Sequence, residues 1–110
     1  MKCRAEILPV AWEDLKRIED YYVINVGIET AIKVSENILD SIERLEEHPD
    51  IGSLTPDKWL NDQGYRMVIC KRHASIYKQY QDVIYIYTIL PIHKQIILNY
   101  FTMHKFSIQT

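Results

Sequence analysis

The spacing of apolar residues changes along this chain, and residues 65–90 have the shortest period. There, large apolar side chains alternate with polar ones or form brief apolar runs rich in β-branched and aromatic residues. Such a period of two is typical of β-strands, whose side chains point alternately to the two faces of a sheet. It predicts strands at Tyr65–Cys70, Ala74–Tyr80 and Val83–Leu90, separated by the polar break Lys71-Arg72-His73 and the two-residue turn Gln81-Asp82.

The N-terminal segment also alternates, but only briefly. Cys3, Ala5 and Ile7 are interleaved with charged residues in Lys2–Leu8, which predicts one half-buried strand. Pro9 then suits the first position of a helix, where its missing N–H is no loss.

Two helices are predicted next. The first extends to about Asn25, with Glu13 and Asp14 in its first turn, where the helix dipole favours acidic residues. Val26-Gly27 interrupts it, and a second helix runs from about Ile28 to Glu47, ended by His48-Pro49. Each helix has an apolar stripe at three- and four-residue spacing. The stripes comprise Trp12, Leu15, Ile18 and Tyr22 in the first helix, and Ala31, Val34, Ile38, Ile42 and Leu45 in the second.

These elements together predict an α+β fold. It has an N-terminal strand, an antiparallel helical hairpin and a three- to four-stranded antiparallel sheet that buries the helical stripes. Residues 50–63 have the composition of a loop that pins Trp59 and Leu60 to the body of the protein. The chain is predicted to be a single domain over 1–110, with one more short helix or strand at His93–Phe101 and a flexible tail at 102–110.

Composition narrows the class of protein. A length of 110 residues with 47% hydrophobic residues is enough for one core without metal or disulfide staples. Cys3 and Cys70 are far apart and outside any paired-cysteine motif, so we expect two reduced thiols. We found no apolar leader or membrane-length run in the sequence, and we expect a soluble cytoplasmic protein.

The formal net charge of −2 conceals an asymmetry. Residues 1–55 carry six Lys and Arg against twelve Asp and Glu, whereas residues 56–110 carry seven against three. A polyanion would therefore approach the second half, although a charged surface without any steering role is an equal alternative. The small net charge disfavours a protein that depends on tight non-specific binding to nucleic acid.

The candidate chemistry consists of basic residues interleaved with tyrosines in the predicted sheet and just after it. No nucleotide-binding, hydrolase or metal motif occurs, so neither a cofactor nor a metal is expected. Basic groups beside aromatic rings can grip phosphate and stack a base, but tyrosine is also a good strand former. Arg66 is expected to bind phosphate or to form a salt bridge, and His93 to be a general acid or an ordinary surface histidine. The candidate set for binding a nucleic acid or another target is Arg66, Lys71, Arg72, Lys78 and Lys94.

Four segments in order resemble the RelE/ParE superfamily of bacterial type II toxins. They are AWEDLKRIEDYYVINVGIETA, SIERLEEHPDIG, GYRMVI and SIYKQYQDVIYIYTIL. The resemblance implies a small α/β fold whose antiparallel sheet is curved, and a cognate antitoxin that wraps and blocks the toxin. It also implies one of two activities, which are ribosome-dependent cleavage of messenger RNA or inhibition of DNA gyrase.

The residues that match the nuclease branch do so incompletely. The resemblance assigns catalytic roles to Arg66, Tyr77 and His93, if the chain is an mRNA interferase. However, Ala74 stands where that branch has an arginine, and Lys94 replaces another, without the planar fork of a guanidinium. The long helical hairpin is more similar to the ParE branch.

We therefore expect a ParE-like toxin that inhibits growth, stabilises a plasmid and binds a replication target such as DNA gyrase. A ribosome-dependent endoribonuclease is the alternative, and a non-toxic antitoxin-binding module is a third. The antitoxin is expected in a groove between the hairpin and the sheet or along an open sheet edge, with a heterotetramer as one assembly.

Overall fold

The computed structural model describes residues 2–92 of the chain. The predicted features at His93–Phe101 and 102–110 lie outside this range. The remaining predictions of an α+β fold, an N-terminal strand and a helical hairpin are confirmed. In chain order the elements are β1 (Arg4–Ile7), α1 (Pro9–Asn25), α2 (Ile28–Glu47), α3 (Lys58–Asp62), β2 (Tyr65–Cys70), β3 (His73–Tyr80) and β4 (Val83–Pro91).

The four strands form one sheet in the order β1-β4-β3-β2. β2, β3 and β4 are antiparallel neighbours, and β1 joins the far side of β4 in parallel. Ile76 pairs with Thr88 and Tyr77 with Ile86, so Tyr87 is an extra residue in β4. A bulge of this kind bends its strand and increases the local twist, consistent with the predicted curvature.

The helical hairpin turns at Gly27. Its φ of +146° is one that other residues rarely adopt, and helix α2 begins at the next residue. Ser35 Oγ donates a hydrogen bond of 2.9 Å to Glu19 Oε1. Since these two residues lie eight positions on either side of Gly27, the helices are antiparallel.

The hairpin covers one face of the sheet with a single apolar core. Helix α2 contributes the predicted stripe, of which all but the half-buried Val34 are fully buried, and β4 contributes the most deeply buried strand residues. The buried members of this cluster are Cys3, Ala11, Leu15, Ile38, Ile42, Leu45, Val68, Tyr77, Ile84, Ile86 and Ile89.

Two details predicted for α1 are wrong. Trp12 is 50% exposed, and Ala11 occupies the buried position beside it with no exposure. Asp14 lies in the second turn and points at the sheet, where one of its carboxylate oxygens accepts hydrogen bonds from Thr88 Oγ1 and from the amide of Ile89, the latter at 3.1 Å. A small side chain therefore lets α1 approach β4, and a carboxylate joins the two elements.

The segment predicted as a loop contains α3. Asp57 caps this helix through its carboxylate, which accepts the amides of Trp59 at 2.8 Å and Leu60 at 3.3 Å. Leu60 is buried against Ile76 on the sheet face away from the hairpin. The expectation that Trp59 and Leu60 are pinned to the body of the protein is thereby met, through a short helix.

Candidate functional site

Tyr77 and Arg66 lie directly opposite each other on β3 and β2. Tyr77 is only 2% exposed, and its hydroxyl donates a 3.1 Å hydrogen bond to the carbonyl of Pro49. Burial raises the pKa of Tyr77, with Gly52 and Arg66 acting in the opposite direction. At neutral pH this phenol is therefore a protonated donor that holds the segment after α2 against the sheet.

Arg66 is half-buried on the edge strand β2. Its Nη1 donates to the carbonyl oxygens of Asn61, at 3.0 Å, and Tyr65, at 2.7 Å. The guanidinium thus ties the end of α3 to the start of β2. The sequence left open a phosphate site or a salt bridge, and the contacts observed are with backbone carbonyls.

Lys78 belongs to the other face of the sheet. It pairs in register with Tyr65, and its ammonium lies 5.2 Å from the centre of the Tyr65 ring, a cation–π distance. The Tyr65 ring also meets the Tyr87 ring edge to face, with 5.3 Å between centroids. Burial is the main cause that raises the pKa of Tyr87.

Lys71 and Arg72 form the β2–β3 turn. Lys71 lies five positions after Arg66, which corresponds to about 16 Å at a strand rise of ~3.3 Å per residue. Lys71 has a φ of +54°, in the left-handed region. The amide of Ile92 donates a 2.6 Å hydrogen bond to the carbonyl of Arg72 and so joins this turn to the end of β4. The polar break is shorter than predicted, because His73 belongs to β3 and is 6% exposed.

The predicted site residues are therefore divided among three places. Arg66 and Tyr77 lie on the helix-facing side, Lys78 lies on the opposite side, and the pair in the turn lies at the far end of β2. His93 and Lys94 are outside the described residues. The roles assigned to all of these residues stay predictions.

The structure also contains a groove between the helical hairpin and the sheet, a place expected from the sequence, although the residues that line it were not identified there. It has a volume of about 780 Å³ and lies between α1 and the end of β4; we call it the α1–β4 groove. Apolar and aromatic side chains line most of it, and charged groups stand among them. Its lining is Asp14, Arg17, Ile18, Tyr21, Tyr22, Arg72, His73, Ile89, Leu90, Pro91 and Ile92. Tyr21 and Tyr22, which are adjacent on α1, both line it.

The edges of the sheet are partly covered. At β1, Glu46 of α2 accepts two hydrogen bonds. Its backbone carbonyl accepts one from the Cys3 amide at 2.7 Å, and its side-chain carboxylate accepts one from the Ala5 amide at 2.8 Å. On β2, Ser53 and Met67 exchange two backbone hydrogen bonds of 2.8 and 3.0 Å. An added strand would have to displace these contacts.

Over residues 2–92, no group of three or more His, Cys, Asp or Glu side chains is placed to hold a metal ion. In the same range, no helix is long and apolar enough to cross a membrane.

The described residues thus form a small α+β protein with an open, largely apolar groove beside its sheet. Residues 5–95 match the family described as the ParE toxin of the type II toxin–antitoxin system parDE. The chain belongs to this family of toxins, and the predicted membership of the RelE/ParE superfamily is confirmed.

Among solved structures, the chain is similar to one from the chromosomal ParDE toxin–antitoxin system of P. aeruginosa. The TM-score is 0.71 at 20% identity, over 84% of this chain and 98% of that one. Identity this low shows a shared fold only. No curated protein matches the chain.

Proposed function

We propose that this toxin arrests growth by binding DNA gyrase, and that a cognate antitoxin neutralises it by filling the α1–β4 groove. The placement of Tyr77 is the observation that carries the choice of target. In the rival nuclease mechanism, Tyr77, Arg66 and His93 would act on an RNA phosphate, and such groups must come within hydrogen-bond reach of it.

Tyr77 is poorly placed for that chemistry. With 2% exposure and a hydrogen bond to the Pro49 carbonyl, its hydroxyl reaches an RNA only if the segment around residues 49–52 moves away. Arg66 already donates to two backbone carbonyls. Both side chains have structural partners, which favours a toxin that acts by binding.

Expression of the toxin in bacterial cells tests the target. We expect growth arrest with gyrase trapped on DNA and intact messages, and co-expression of the antitoxin should relieve the arrest. Cleavage of messages on ribosomes that is lost with Arg66→Ala would contradict the proposal and select the nuclease. Unaffected growth would select the non-toxic antitoxin-binding module.

The α1–β4 groove is the better of the two expected antitoxin sites. Part of each sheet edge is already paired with Glu46 or Ser53, whereas the groove offers aromatic and apolar surface beside Arg17 and Arg72. Amphipathic segments commonly bind in such grooves through apolar anchors. We therefore expect an antitoxin segment with apolar residues and at least one acidic residue.

Tyr21 provides a direct test of this site. It is 59% exposed, lines the groove and contacts the Tyr22 ring edge to face. Tyr21→Ala should leave the stability of the free toxin nearly unchanged but weaken antitoxin binding about thirtyfold, as for an aromatic hot spot of about 2 kcal/mol. The matched control is Ile24→Ala on the same helix, since Ile24 is 81% exposed and is not among the groove residues.

Calorimetry with the purified antitoxin would measure both variants. Equal affinities for Tyr21→Ala and wild type would refute the groove, and protection of β2 amides from hydrogen exchange would instead support strand addition. Light scattering on the same complex would test the proposed heterotetramer. Action in the cytoplasm, where gyrase and ribosomes are found, is part of the same proposal.

A further inference from the structure

A second cavity adjoins the α1–β4 groove, on the other side of the Tyr22 and His73 rings. It has a volume of about 320 Å³ and lies between α2 and the β2–β3 turn. We call it the Lys33–Arg72 cavity. Lys33, Lys71 and Arg72 line it, and no carboxylate is among its lining residues.

The three cations have no partner within the described part of the chain. Over residues 2–92 the ion pairs join Arg4 to Glu6, Arg17 to Asp14 and Lys58 to Asp62, so none of them involves a cation of this cavity. In a protein with a net charge of −2, three unpaired cations around one concavity are a local concentration of positive charge. Such a cavity favours an anion with several acceptor oxygens.

A neutral hydrogen-bond donor and two aromatic rings also line the Lys33–Arg72 cavity. Asn37 contributes an amide, and the rings of Tyr22 and His73 meet edge to face at 6.1 Å between centroids. His73 is 6% exposed, and within residues 2–92 its ring nitrogens form no hydrogen bond with the protein. Within residues 2–92 no fully buried side-chain nitrogen or oxygen lacks a partner, so the ring nitrogens of His73 are reached from outside and can hydrogen-bond with a ligand.

We propose that the Lys33–Arg72 cavity binds a small phosphorylated molecule about the size of a nucleoside monophosphate. Its volume is near the lower end of ligand pockets, which hold about 300–1,000 Å³. The cations would hold the phosphate, and the Tyr22–His73 wall would contact the base. This inference is independent of the proposed gyrase target.

A nucleic-acid strand fits less well than a single phosphate. The neighbouring cavity shares Asn37, Cys70 and Lys71 with it. Four carboxylates line that cavity beside the cations Lys2 and Arg44; they belong to Asp40, Glu43, Glu46 and Glu47. A polyanion running out of the Lys33–Arg72 cavity in that direction would meet these like charges. The acidic neighbour therefore favours a ligand with one compact anionic group.

Lys71 offers a variant that separates binding from folding. Its φ of +54° strains any residue with a Cβ, so Lys71→Gly relieves strain while it removes one cation. The matched control is Gln81→Gly, since Gln81 has a φ of +58° in the β3–β4 turn at the opposite end of β3. Both variants should melt at or above the temperature of wild type.

NMR titration of the full 110-residue chain with AMP, adenosine, inorganic phosphate and a single-stranded DNA oligonucleotide tests the proposal. We expect saturable shifts at residues 71–73 with AMP, weaker ones with phosphate and none with adenosine. Lys71→Gly and Lys33→Gln should each bind AMP about tenfold more weakly, and Gln81→Gly should bind it normally. AMP binding that is absent or unchanged in both cavity variants would overturn the proposal, and so would binding of the oligonucleotide alone.

Discussion

Of the three glycines, Gly52 is the one at which an added methyl group would meet the closest contacts. A Cβ at this residue would lie 1.8 Å from the Tyr77 hydroxyl oxygen and 2.6 Å from the adjacent ring carbon Cζ. Contacts below 3.0 Å do not persist at a Cβ, so either the segment or the ring must move. Tyr77 is 2% exposed and packed in the main core, which leaves the ring little room.

The expected loss combines two effects. Forcing one extra carbon into a packed core costs about 1–3 kcal/mol, and losing the Tyr77 hydrogen bond to Pro49 adds about 1 kcal/mol. A total near 3 kcal/mol in a 110-residue domain corresponds to a fall in Tm of about 13 °C, at ~2.1 cal/mol/K of unfolding entropy per residue. Gly52→Ala should therefore melt well below wild type.

A double-mutant cycle with Tyr77→Phe identifies the cause. Removing the hydroxyl eliminates the shortest contact, so Gly52→Ala should cost at least about 1 kcal/mol less in the Tyr77→Phe background. Gly27→Ala shows the cost of backbone strain without a clash, because Gly27 has a φ of +146° but, within residues 2–92, nothing within 4 Å of an added Cβ, whereas Gly52 has no positive φ. Urea unfolding measures all variants, and a Gly52→Ala protein as stable as wild type, or a strictly additive cycle, would refute the reasoning.

Two further predictions concern the hydrogen bonds of Asp14 that join α1 to β4, and the buried His73. Asp14→Ala leaves the buried Thr88 hydroxyl and Ile89 amide without their acceptor and should cost about 2–4 kcal/mol in urea unfolding, whereas Asp20→Ala on the exposed face of α1 should cost little. Burial lowers the pKa of His73 from its ordinary 6.5, so its contribution to stability is full above pH 6.5 and is lost as pH falls through the lower folded pKa. His73→Gln should flatten the decline of stability below pH 6.5, which urea unfolding at a series of pH values would measure, with substitution of the exposed His48 as the control.

The elements with a strong period were predictable from the sequence. The bounds of α2 follow from a repeated apolar stripe, a glycine before it and a proline after it, all of which act locally. The strands of the meander follow in the same way from alternation and short turns. For these elements, the secondary structure that the local sequence favours is also the one that tertiary packing stabilises.

The wrong predictions concern residues whose secondary structure or burial depends on contacts with other parts of the fold. Five residues are too few for α3 to show a helical period, although Asp57 before Trp59 was a readable cap signal. His73 was placed in a polar break because of its type, but pairing with Cys70 across a two-residue turn makes it the first residue of β3. The three- and four-residue spacing placed Trp12 in the apolar stripe of α1, whereas Trp12 is 50% exposed and Ala11 takes the buried position beside the sheet.

The candidate site was harder to predict than the fold. The sequence grouped Arg66, Lys78 and the turn cations because all are basic, but strand alternation and the length of β2 separate them. The burial of Tyr77 depends on the segment around Gly52 folding over it, and a contact between residues so far apart in sequence leaves no local pattern.

The most direct test of the central claim is a supercoiling assay with purified gyrase, relaxed plasmid and the purified toxin. We expect inhibition of supercoiling by wild type, equal inhibition by Tyr77→Phe because Tyr77 serves the fold, and relief on adding the antitoxin. Full gyrase activity at toxin concentrations that arrest growth, together with ribosome-dependent RNA cleavage abolished by Tyr77→Phe, would contradict the account.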